Sequence, residues 1–126
     1  MKNAQDLVSA AKAKIREVAV QDADAAINTA DVLIDVRQAN EFYAGHLPGA
    51  VNIPRGILEF KLSNDPELAD RDLKLVLYCK NSGRAALAAC SLLEMGYRNI
   101  TSINGGFDAW AEAGKPIAKP DLPKFG

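Results

Sequence analysis

Two short segments, Asp31-Val32-Leu33-Ile34-Asp35-Val36 and Leu75-Val76-Leu77-Tyr78, are apolar at successive positions. A strand with one wet face alternates between apolar and polar residues. A compact β-branched run such as 31–36 instead reads as a strand covered on both faces. Two more strands are expected at Ala50–Ile53, ended by Pro54, and at Asn99–Ile103. A short first strand is expected at Glu17–Val20. Helical segments fall between them. Gln21–Ile27 is opened by Asp22, Arg37–Tyr43 is closed by Gly45, and Ala85–Met95 is stopped by Gly96. Gly105-Gly106 leads into a helix through Trp110, a core residue, which ends at Gly114 with Pro116 just beyond. Residues 55–72 are mixed and charged, and Asp65-Pro66-Glu67 has the form of a helix start. Strands alternating with helices predict an α/β fold, a parallel sheet with helices on both faces.

Residues 4–16 read as a further helix, with Leu7, Ala11 and Ile15 on one stripe. That stripe is thin, so the helix is expected to dock on the domain rather than stand alone. The chain of 126 residues is enough for one domain with a real core. Its 15 basic and 16 acidic residues nearly cancel, which gives no sign of a nucleic-acid partner. The first residues lack the apolar core of a signal peptide, and no stretch is long enough to span a membrane. Two cysteines in different settings make no disulfide framework. A cytoplasmic monomer is the expectation.

The chemistry centres on Cys79. It ends a buried strand and opens the loop Cys79-Lys80-Asn81-Ser82-Gly83-Arg84, which runs directly into a helix. Unpaired N–H groups and the helix dipole favour negative charge there, and Lys80 and Arg84 add positive charge within reach of the sulfur. Such a place favours a thiolate and suits group transfer. In parallel sheets, ligands bind at the carboxyl ends of the strands, where Cys79 lies. Cys90 sits within an apolar helical stretch and reads as buried packing. It is six residues beyond Arg84, about 9 Å along a regular helix, and so outside disulfide reach of Cys79.

Other polar residues carry less. His46 precedes a Leu-Pro-Gly turn and is expected to fix that turn through hydrogen bonds rather than to shuttle protons. Asp35, Arg37 and Glu41 either bind substrate or form a buried strand-end ion pair that orders the turn. Arg55, after Pro54, either lines the mouth of the pocket or faces away from it. One histidine and two separated cysteines give no metal-ligand spacing, and no phosphate-cradling glycine loop precedes a Lys-Ser/Thr pair. Neither a metal nor an organic cofactor is called for.

Three segments, in order, resemble the signatures of the rhodanese homology domain. The first is Leu33–Arg37 followed by Glu41-Phe42-Tyr43-Ala44-Gly45-His46-Leu47-Pro48-Gly49-Ala50-Val51-Asn52-Ile53-Pro54. The second is Tyr78-Cys79 with its loop, and the third is Gly105-Gly106-Phe107-Asp108-Ala109-Trp110 through Gly114-Lys115-Pro116. Together they cover about residues 17–117, leaving 1–16 as a helical extension and 118–126 as a flexible tail.

The resemblance implies a single-domain sulfurtransferase with a five-stranded parallel sheet. Cys79 would be its nucleophile, and Lys80, Asn81, Ser82, Gly83 and Arg84 would bind a small anionic sulfur donor such as thiosulfate. The acceptor would be cyanide or a thiol. In sulfurtransferases of this kind the loop has six residues and closes on an arginine, as Arg84 does here; related phosphatases have one more. Ser82 stands fourth in the loop, where the family often has glycine. Two other functions compete with this one. A sulfur-carrier or interaction module would serve one protein acceptor, and a small cysteine phosphatase or arsenate reductase would use the same thiolate.

Overall fold

A computed structural model describes residues 1–120 of the chain. Its sheet contains β1 (Arg16–Val18), β2 (Val32–Asp35), β3 (Val51–Asn52), β4 (Lys74–Tyr78) and β5 (Asn99–Ile103). All neighbours are parallel, in the order β1-β5-β4-β2-β3, so β4 is central. Alternate residues of the central strands feed two separate cores. Ile34, Leu75 and Leu77 join one core with Leu58, Leu62, Ala88 and Leu92. Leu33, Val76 and Tyr78 join the other with Val20, Ala23, Leu47 and Trp110. Runs apolar at successive positions therefore arise because each residue parity has its own core to enter.

Helices α2 (Ala23–Thr29) and α6 (Gly106–Glu112) cover the second face, while α4 (Leu58–Asn64) and α5 (Gly83–Glu94) cover the first. Helix α3 (Ala39–Ala44) lies between β2 and β3 in the chain. Helix α1 (Ala4–Lys12) packs on the outside of α5, where Val8 and Ala11 meet Ala86. Its start is capped reciprocally: Asp6 N–H donates to Asn3 Oδ1 at 2.9 Å and Asn3 N–H to the Asp6 carboxylate at 3.0 Å. Alanines on α5 allow close approach of both the sheet and α1. Among the described residues no helix is long and apolar enough to cross a membrane.

Some boundaries differ from expectation. The first helix ends at Lys12, and β1 begins at Arg16, with Val20 already in a 3-10 turn. No helix starts at Asp65. Instead α4 ends at Asn64, and Asp65 is extended, as suits a residue before proline. Leu58 and Leu62, four apart, carry the helix into the core one turn upstream of where the proline signal pointed. Cys90 is only partly buried, because α1 covers its face of α5 incompletely. Ala118, placed in the flexible tail, exchanges two backbone hydrogen bonds with His46, at 2.9 and 2.8 Å. The rest of that tail from 121 onward lies outside the described residues.

Tyr78, the last residue of β4, is completely buried, and its hydroxyl accepts the Leu47 N–H at 3.0 Å. Burial, followed by the Asp35 carboxylate, pushes the phenol well above its ordinary range, so it stays protonated. Tyr78→Phe leaves that amide without a partner. A loss of about 1–3 kcal/mol is expected, read as a lower denaturation midpoint with an unchanged m-value.

Candidate active site

Cys79 leaves the carboxyl end of the central strand and is completely buried. Its Sγ accepts the N–H of Ala85, in the first turn of α5, at 3.4 Å. That amide is one of the donors a helix leaves unpaired at its start, so the helix delivers a donor and the positive end of its dipole to the sulfur.

The loop is held from its other side by α6. Phe107 N–H donates to Cys79 O at 2.8 Å and Asp108 N–H to Lys80 O at 2.9 Å. This contact requires a glycine. A Cβ on Gly106, whose φ is +55°, would stand 2.4 Å from both Cys79 O and Asn81 O and 3.0 Å from Lys80 O. On the α5 side, Val8 of α1 lies 3.6 Å from where a Cβ on Gly83 would stand. The Cys79 loop is thus clasped between α5, α6 and the N-terminal helix.

Several polar groups of the loop have partners within the chain. Arg84 grips Glu41 with both ends of its fork, Nη1 to Oε1 at 2.7 Å and Nη2 to Oε2 at 3.1 Å. The hydrogen bond from Arg84 holds the Glu41 carboxyl below its usual range, and the bond to Glu41 raises Arg84. Lys80 Nζ reaches Asp108 at 2.8 Å on the surface. Asn81 Oδ1 accepts the Ser82 N–H at 2.7 Å and the Gly83 N–H at 3.4 Å. Beside the loop is a depression of about 240 Å³, lined by Arg37, Glu41, Gly45, Lys80, Phe107 and Asp108.

Asp35 and Arg37 form a buried pair, with two guanidinium donors on the carboxylate at 2.8–3.1 Å. Arg37 also donates to Gly45 O at 2.6 Å and lies over the Phe107 ring at 4.4 Å. The pair therefore ties β2 to the end of α3. Glu41 is not part of it and faces Arg84. His46 is buried, stacked on Phe42 at 3.9 Å, with Nδ1 3.2 Å from Phe42 O. Both contacts fix the turn. Arg55 pairs with Glu59 at 2.8 Å and lines a cavity with Cys90, Ser91 and Lys14. The clasp by Gly106, Phe107 and Asp108 was not foreseen. Its trace in the sequence is the Gly105-Gly106 pair that leads into a helix and opens the third signature segment.

The structure is thus a doubly covered parallel α/β domain with one thiol at its central carboxyl end, seated on a helix start. The chain belongs to the Rhodanese-like domain family, which it matches over residues 19–113. A sulfurtransferase from Allochromatium vinosum is 35% identical over 95 residues, 75% of this chain and 85% of that protein. The thiosulfate sulfurtransferase GlpE of Haemophilus influenzae is 32% identical over 103 residues, covering 81% of this chain and 93% of GlpE. Among solved structures, a Rhodopseudomonas palustris protein of unknown function, described as a possible tyrosine phosphatase, superposes with a TM-score of 0.86. It is 31% identical, and the match covers 94% of this chain and 96% of that one. The human single-domain sulfurtransferase TSTD1 superposes at 0.69 with 26% identity, over 76% and 95% of the two chains. The five-stranded parallel sheet and the family implied by the sequence signatures are both present.

Proposed function

We propose that this protein transfers a sulfane sulfur in two half-reactions on Cys79. The thiolate attacks the outer sulfur of a donor such as thiosulfate. An S–S bond forms to Cys79, the donor's S–S bond breaks, and sulfite leaves with the bonding electron pair. A second nucleophile, cyanide or a thiol, then takes the outer sulfur and returns Cys79 as the thiolate. Three negative charges enter the first step and three leave it, so no oxidant or reductant is needed. The chemistry needs no metal or organic cofactor and is carried by residues of one chain.

The observation that carries this reading is the Ala85 N–H directed at Cys79 Sγ from the start of α5. It supplies a fixed donor where charge sits on sulfur before attack and after loading. Loop amides and the side chains of Lys80 and Arg84 serve the donor and its leaving group once they exchange their internal partners. The likeness to the Rhodopseudomonas protein raises phosphoryl transfer as a second reading. Against it stands the loop, six residues from Cys79 to Arg84, the shorter of the two lengths known for this fold. A shorter ring of amides fits one sulfur atom better than a phosphoryl group.

Steady-state rates with thiosulfate, mercaptopyruvate and an aryl phosphate on one preparation test the proposal. Sulfur transfer with parallel double-reciprocal lines, the sign of a ping-pong sequence, is expected with negligible phosphate release. Turnover of the phosphate ester alone would replace this reading. Poor turnover of small donors alongside rapid transfer to a protein thiol would identify a sulfur carrier instead.

A further inference from the structure

We propose that Glu41 is a specificity-determining residue that biases the site against small dianions by occupying the donor fork of Arg84. The inference deepens the sulfur-transfer reading and rests on it. Arg84 is the one guanidinium in the Cys79 loop, and a planar fork of this kind binds the paired oxygens of a sulfonate, sulfate or phosphate. Here both ends of the fork are already taken by the two oxygens of Glu41. The carboxylate is itself fixed, because Oε1 also accepts the Gln38 N–H at 3.2 Å in the capping box of α3. The mask therefore belongs to a helix start and is not a chance surface contact.

The neighbouring groups act in the same direction. Asp108 holds Lys80, and Asn81 Oδ1 sits on the amides of Ser82 and Gly83. Glu41 and Asp108 both line the depression beside the loop. A dianion entering there lies close to both acids, and to use the Arg84 fork it has to displace the Glu41 carboxylate. A monoanionic or neutral donor meets less repulsion and has less need of the fork. The Arg84–Glu41 pair is partly exposed, so the mask is weak enough to open.

Glu41→Gln tests this, because glutamine keeps an oxygen for the Gln38 N–H and so preserves the cap while removing the charge. KM would be measured at low ionic strength for thiosulfate, a dianion, and for methanethiosulfonate, a monoanion with the same sulfane sulfur. In Glu41→Gln, KM for thiosulfate should fall about two- to fivefold, with a smaller change for methanethiosulfonate. Inhibition by inorganic sulfate should tighten in parallel. The gain should vanish in Glu41→Gln/Arg84→Ala and at about 0.5 M salt. Glu41→Asp, which shortens the reach to Arg84, should move the same way by a smaller factor. An unchanged or higher KM for thiosulfate, with Cys79 still taking up sulfur, overturns the proposal: Glu41 would then orient Arg84 for the donor. Failure of every variant and the unaltered protein to load sulfur on Cys79 would instead overturn the sulfur-transfer reading itself, and this proposal with it.

Discussion

Cys79→Ser is expected to lose sulfur transfer by about a thousandfold or more while keeping its fold. Serine has nearly the same size and still offers Ala85 an acceptor, so the loop and the start of α5 keep their contact. It cannot provide a thiolate, and an alcohol at neutral pH is no substitute. The far-ultraviolet dichroism should be unchanged, and the loss of stability should stay below about 2 kcal/mol. Cys90→Ser is the control. Cys90 lies on the partly exposed flank of α5 against a different cavity, and that variant should keep its activity.

The second large effect is expected at Gly106. An alanine there puts a methyl group within 2.4 Å of two loop carbonyl oxygens and forces a β-carbon onto a backbone at φ +55°. Overpacking and backbone strain together should cost about 2–4 kcal/mol. Relief can come only by moving α6 away from the loop, which weakens the Phe107 and Asp108 amide contacts that hold Cys79 O and Lys80 O. Activity should therefore fall along with stability. Gly49→Ala separates the two contributions. Gly49 also has positive φ, +83°, but nothing lies within 4 Å of its added methyl. It should lose only about 1–2 kcal/mol for backbone conformation and keep its turnover number. Equal effects at the two glycines, or full activity in Gly106→Ala, would mean that the clasp by α6 does not position the loop.

Strands β2 and β4 were legible because burial on both faces leaves a strong local signal, an apolar run with no alternation. The thiol was legible for the same kind of reason: strand end, polar loop and alanine-rich helix are consecutive in the chain. Helix α4 was hidden because its apolar face rests on only two leucines, Leu58 and Leu62, inside a charged stretch that includes the Arg55–Glu59 pair. The signal Asp65-Pro66 marks a helix stop as readily as a start, and here it marks the stop. Two features of the site depend on packing between distant segments. Glu41 and Arg84 are 43 residues apart, so no periodicity links them. The clasp at Gly106 depends on how closely α6 approaches the loop, a distance set by the packing of Trp110 and its neighbours in the second core. Cys90 is half-buried although its helix is apolar nearly all round, because it lines an open cavity between α1 and α5.

The most direct test of sulfur transfer through Cys79 is the intact mass of the protein after incubation with thiosulfate and no acceptor. One added sulfur atom is expected, absent in Cys79→Ser, retained in Cys90→Ser, and removed by cyanide with release of thiocyanate. An unmodified mass under conditions where thiosulfate is turned over in the presence of cyanide would contradict a covalent intermediate on Cys79.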